Sequence, residues 1–143
     1  EIIEADARCW RPNNLADVVI LDAPCSGTGT IRRHPDIPYC KTEIDVMKLM
    51  GIQESLLAAA VESVKPGGIV VYSTCSIQPE EGPMQIERAA QNKLPIRTLP
   101  FTRNDVPGMP ETLTPTGTFL SLPSYLSKYG HMDGFFACRF QRL

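Results

Sequence analysis

Two short segments of this chain carry side chains able to do covalent chemistry. The first runs Asp22, Ala23, Pro24, Cys25, Ser26, Gly27, Thr28, Gly29, directly after the apolar run 18–21 (VVIL). The second runs Ser73, Thr74, Cys75, Ser76, directly after a similar apolar run at 69–72. A short continuous apolar stretch that stops abruptly fits a buried parallel strand. In open parallel sheets, ligands sit beyond the carboxyl ends of the strands. That placement gathers Asp22, Cys25 and Cys75 on one edge, with Asp6 joining them if residues 1–4 end a further strand. A thiolate there is a nucleophile, and a helix starting just after Cys75 would favour it. Each thiol also has a structural reading: Cys25 as an incidental residue of a strand-to-loop turn, Cys75 as a small buried core residue. A phosphate-binding loop fits the first segment poorly, because no Lys comes after its glycines.

The elements that must position these groups are legible as strand, helix, strand. Residues 42–65 place Ile44, Met47, Leu56, Leu57, Ala60, Val61 and Val64 mostly at helical spacing, with Thr42 as cap and Gly51 as a point where the segment divides into two helices. Pro66, Gly67 and Gly68 break the chain before the second strand. The result is a βαβ unit and an α/β fold with a parallel sheet. Beyond it, Pro79, Glu80 and Glu81 open a helix to about Gln91, their acids suited to the helix dipole. Residues 96–99 and 135–140 (FFACRF) are further strands, joined by a Pro- and Gly-rich stretch too long for a simple loop, with a hairpin expected near 118–122.

Bulk properties narrow the function. The 143 residues suit one domain. No apolar run approaches the roughly 20 residues that cross a bilayer, so no membrane association is expected. Five cysteines without a CxxC pair indicate neither a disulfide framework nor a zinc or other metal site, which points to reduced thiols and a cytoplasmic setting. A net charge of -2 is unlike a free-standing nucleic-acid binder, so an RNA substrate would be gripped largely from elsewhere. Arg32, Arg33 and His34 form the one tight basic cluster, read either as a phosphate contact or as a solvated loop. His131, with Asp133 and Gly134, reads as shaping the turn into the last strand.

Three ordered runs, LDAPCSGTGTIRRHPDI (21–37), PGGIVVYSTCSIQPEEG (66–82) and HMDGFFACRF (131–140), resemble the Sun-type family of RNA (cytosine-5)-methyltransferases, whose bacterial members modify ribosomal RNA. The pairing of a PC motif after one strand with a TC motif after the next is its most diagnostic feature. The resemblance implies a class I (Rossmann-like) S-adenosylmethionine-dependent methyltransferase fold with strand order 3-2-1-4-5-7-6 and an antiparallel seventh strand. It also implies RNA, above all ribosomal RNA, as substrate. Cys75 becomes the nucleophile and Cys25 the group that assists release. Asp22 lies where cofactor and base meet, and Asp6 near the cofactor's adenine; a surface-turn aspartate is the structural alternative for Asp6. DNA cytosine methyltransferases place the nucleophile in the PC motif instead, and the physics of either strand end permits either thiol.

The family's Gly-rich cofactor loop does not precede Asp6, and Gly67–Gly68 lie at the opposite end of a strand. The expectation is therefore a partial catalytic domain over 1–143, the C-terminal portion of the fold without its first strands, inactive alone and prone to self-association through an unpaired apolar edge at 18–21. Two rival readings are a non-catalytic RNA-binding scaffold of the same fold and a cysteine hydrolase pairing Cys25 with His34 or His131, which needs a base within hydrogen-bond reach.

Overall fold

Strands β1 (Ala16–Asp22) and β2 (Val64–Thr74) lie side by side and parallel, with Val19 opposite Val70 and Leu21 opposite Tyr72. The computed structural model describes all residues, 1–143. The crossover between the two strands is helix α2 (Glu43–Ser63), preceded by a single helical turn, α1 (Ile37–Cys40). Thr42 caps α2 as expected: its hydroxyl accepts from the Asp45 N–H, and the Asp45 carboxylate accepts from the Thr42 N–H. Helix α3 (Pro83–Gln91) and strands β3 (Ile96–Thr98), β4 (Phe119–Ser121) and β5 (Phe135–Arg142) complete the chain. The sheet runs β1-β2-β5-β3, and β4 also pairs with β5. Strand β5 is antiparallel to all its neighbours, as expected for the 4-5-7-6 half of the methyltransferase order.

Because side chains alternate along a strand, one face of the sheet carries Val19, Leu21, Val70, Tyr72, Phe136, Cys138 and Phe140. That face packs on Leu57 and Val61 of α2 and Ala89 of α3. The other set on β1, Val18 and Ile20, stays open at 53% and 74% exposure, and β1 pairs with a strand on one side only.

Several expectations are corrected. Gly51 does not divide α2. It costs about 1 kcal/mol in a helix interior, which burial of Met50, Gln53 and Leu57 around it outweighs. Ile44 and Met47 keep helical spacing yet are exposed, because burial along α2 begins only at Met50. Residues 1–4 form no strand and are exposed, having no neighbouring strand with which to pair. The helix expected from Pro79 is a 3-10 turn (Pro79–Glu81) and then α3, interrupted at Gly82, where a Cβ would meet the Phe136 ring at 3.1 Å. The α-helix thus begins only at Pro83, and Cys75 leads into extended chain rather than into a helix start. The hairpin near 118–122 is present as a turn closed by Thr114 N–H to Thr118 O at 2.9 Å, leading into β4.

Candidate active site

The two thiol-bearing segments meet because β1 and β2 are parallel neighbours that end together. The strand ends are tied by Ala23 N–H to Ser73 O at 2.9 Å and by the Ser73 hydroxyl to Leu21 O at 3.3 Å. Just beyond, Cys25 Sγ and Cys75 Sγ are 3.4 Å apart, both half-buried. Burial, and then the hydrogen bond with Cys75, push the Cys25 thiol up to about 12, so Cys25 keeps its proton through neutral pH. Asp22, the last residue of β1, is exposed on the same edge.

Both cysteine segments are held from behind by buried polar groups. Gly29 donates its N–H to Cys75 O at 3.0 Å, and its own carbonyl accepts from Gly134 N–H at 2.7 Å. A Cβ on Gly29 would lie 2.0 Å from Gly134 O, so only glycine lets these three backbones touch. The Glu81 carboxyl, fully buried, accepts from the Ser26 N–H (2.8 Å), the Ser26 hydroxyl (2.5 Å) and the Gln53 amide (3.0 Å). Ser26 Oγ in turn lies 3.2 Å from Ser76 Oγ, and Ser76 Oγ lies 3.0 Å from Thr28 Oγ1. In the sequence, Gly29, Glu81 and Gly134 have only local roles, in a turn, a helix start and the entry to the last strand, and nothing there shows that they hold the two cysteine segments. Glu81 read only as a helix-dipole acid, and a buried acid beside a nucleophile is the signal that burial alone reveals.

The remaining sequence candidates stand apart from the thiols. Asp6 is exposed at a turn near the chain start, both carboxylate oxygens accepting from Arg8, whose guanidinium and N–H hold its carboxyl down at about 2. Arg33 is ion-paired with Asp133 at 2.5 Å, and Arg32 approaches the same carboxylate at 3.5 Å. His34 is exposed. His131 takes a left-handed backbone (φ 69°) at the turn into β5, while the Asp133 carbonyl accepts from Ser121 at 2.8 Å. Neither histidine ring hydrogen-bonds a thiol; the side-chain partner of Cys25 is Cys75. The thiol–histidine pairing that a cysteine hydrolase uses is not formed in this structure. Of the other cysteines, Cys138 is a buried core residue and Cys9 and Cys40 are exposed.

A half-sheet ordered 4-5-7-6, with an acid and two adjoining thiols at the carboxyl ends of its parallel strands, has the fold of the Rossmann-like methyltransferase class. Residues 1–141 match the family "16S rRNA methyltransferase RsmB/F", and the chain belongs to that family. The ribosomal RNA small subunit methyltransferase B of Pasteurella multocida is 46% identical over 88 residues, 60% of this chain and 20% of that protein. A methyltransferase homolog protein from Pyrococcus horikoshii superposes with a TM-score of 0.67 at 32% identity, covering 92% of this chain and 40% of that one. The structure of NSun6 from Pyrococcus horikoshii with SFG, at 22% identity, shares the fold, with a TM-score of 0.74 over 99% of this chain and 34% of that one. The match thus spans about a fifth of that curated relative's length.

Proposed function

We propose that this chain forms part of the catalytic domain of a ribosomal RNA cytosine-5 methyltransferase that uses S-adenosylmethionine and works through a covalent cysteine adduct. The observation that carries this reading is the pair of Sγ atoms 3.4 Å apart at the strand ends, beside Asp22. The C5 carbon of cytosine is too weak a nucleophile to take a methyl group directly. A thiolate that adds to C6 pushes electron density onto C5 and divides one hard step into easier ones. Cys75 is the attacking thiol. Cys25, half-buried and in hydrogen-bond contact with Cys75, is the neutral thiol beside the adduct and, as the family resemblance implies, assists release. S-adenosylmethionine, when bound, supplies the electrophilic methyl group. The C5 proton passes to solvent water, its C–H electrons form the C5–C6 double bond, and the electrons of the Sγ–C6 bond leave with Cys75, which restores the aromatic ring and frees the thiolate.

The residues present fit the cofactor through acceptors. Asp22 is exposed at the open edge, where cofactor and base would meet, and Asp6 would reach the adenine by exchanging its contacts with Arg8. Arg32, Arg33 and His34 are solvent-facing and suited to RNA phosphates, with Arg33 releasing Asp133 on binding.

The test is made in the full-length protein carrying this sequence. Cys75→Ala is expected to abolish methylation, along with the covalent link to RNA containing 5-fluorocytosine, where the missing C5 proton blocks release. Cys25→Ala is expected to let a covalent complex accumulate on ordinary RNA. Opposite behaviour of the two variants exchanges their roles, and no transfer of labelled methyl groups to RNA by the unmodified protein refutes the reading.

A further inference from the structure

We infer that Glu81 is a positioning residue: its buried carboxyl fixes the segment after Cys25 against the segment after Cys75 and so sets the separation of the two thiols. The carboxyl is inaccessible to water and forms no ion pair, yet it accepts three hydrogen bonds, two of them from Ser26, the residue next to Cys25. Its reach to the other thiol is equally short. The Glu81 backbone carbonyl accepts from the Tyr72 hydroxyl at 2.8 Å and from Thr74 Oγ1 at 3.4 Å, and Thr74 directly precedes Cys75. From Ser26 Oγ the contacts continue to Ser76, the residue after Cys75, and Ser76 Oγ accepts from the Gln78 N–H at 3.0 Å.

Burying an acid is costly unless its hydrogen-bonding capacity is met, and an apolar side chain would fill the same volume more cheaply. What an apolar side chain cannot do is grip the N–H and O–H of one serine together. That two-point grip fixes the backbone direction leaving Cys25, and reacting groups must be held to within about 0.5 Å to be productive. The Gln53 amide donates to Glu81 Oε1, the oxygen that also accepts the Ser26 N–H, and to Pro24 O at 2.8 Å, so the residue before Cys25 belongs to the same frame. The bearing of this frame on methyl transfer rests on the function proposed above. Its bearing on the thiols does not.

The test reads thiol alignment directly. Diamide oxidises two adjoining thiols to a disulfide and takes up both electrons and both protons as its hydrazine. The rate at which the Cys25–Cys75 linked peptide forms, monitored by mass spectrometry in the full-length protein, reports how the two sulfurs are held. Glu81→Gln keeps the volume but puts an NH2 either against the two donors that share Oε1, the Ser26 N–H and the Gln53 amide, or at Oε2, where the Ser26 hydroxyl must turn from donor to acceptor, and is expected to slow linkage at least about tenfold. Leu57→Ala, a buried core truncation, is the control for destabilisation and should leave the rate within about twofold while lowering the unfolding midpoint. Ser26→Ala removes one of the two Ser26 contacts and should fall between wild type and Glu81→Gln. A wild-type linkage rate in Glu81→Gln, or equal slowing by Leu57→Ala, overturns the assignment. Should Glu81→Gln not fold, an unchanged rate in Ser26→Ala overturns it as well. In methyl-transfer assays the loss should fall on kcat with KM for RNA unchanged. An unmodified protein that transfers no methyl group, but whose thiol linkage still depends on Glu81, would remove the proposed function and leave the positioning role standing.

Discussion

Gly29→Ala is the substitution whose effect the structure specifies most sharply. The added Cβ would lie 2.0 Å from Gly134 O, 2.6 Å from Gly134 C and 2.8 Å from Cys75 O, all backbone atoms that no rotamer change can move aside. Relief requires the chain around Gly134 to withdraw by more than an ångström. That movement breaks the bonds from Gly29 N–H to Cys75 O and from Gly134 N–H to Gly29 O. Two net hydrogen bonds are worth about 1–3 kcal/mol, and overpacking adds about 1–3 kcal/mol. The smaller conformational entropy of Ala in the unfolded chain returns about 0.4–1 kcal/mol. A net loss of about 1–6 kcal/mol is expected, a sizeable share of the roughly 5–15 kcal/mol that holds a typical domain together. Urea unfolding monitored by circular dichroism measures it directly, and at about 3 °C per kcal/mol the thermal midpoint should fall by about 3 °C or more. A variant within about 0.5 kcal/mol of wild type would show that the three backbones are not in contact as described.

The same substitution at Gly51 is expected to act with the opposite sign. It sits in the middle of α2 with nothing within 4 Å of an added Cβ, so Gly51→Ala should stabilise by about 0.5–1 kcal/mol in the same urea assay. Cys25 predicts an alkaline dependence. Its pKa is raised in the fold from 9.0 to about 12, so the native state keeps a proton that the unfolded chain gives up. Its contribution is therefore complete below pH 9.0 and is lost as pH rises toward about 12. Cys25→Ser should flatten this alkaline decline in part, because Cys138 and Tyr72 are also raised by burial and persist in the variant; an unchanged slope in pH-resolved unfolding would contradict the placement of the thiol. The open edge of β1, with Val18 and Ile20 exposed, should drive self-association of the 143-residue chain, measurable by light scattering and reduced by Ile20→Lys. A monodisperse unmodified chain would refute that expectation.

Local pattern in the sequence was enough to find both parallel strands, the crossover helix with its Thr42 cap, the last strand, and the chemical identities of Asp22, Cys25 and Cys75. Those features depend on side-chain period, on proline and glycine breaks, and on the residue types just past the end of an apolar run, all set within a few residues. The tertiary structure alone decided which of the remaining polar residues matter. Cys25 and Cys75 are 50 positions apart and Ser26 and Glu81 are 55, so their contacts exist only once β1 and β2 pair in one register. Glu81 looked like an exposed acid at a helix start and is fully buried, because Gly82 packs against Phe136 and turns the chain inward before α3 begins. Arg33 looked like a free basic residue and faces Asp133, carried there by the return of the chain into β5. The open apolar face of β1 has the same origin. The alternation of residues 16–22 gives two faces, but which one is covered depends on where α2 and α3 pack, and packing is a property of the whole sheet.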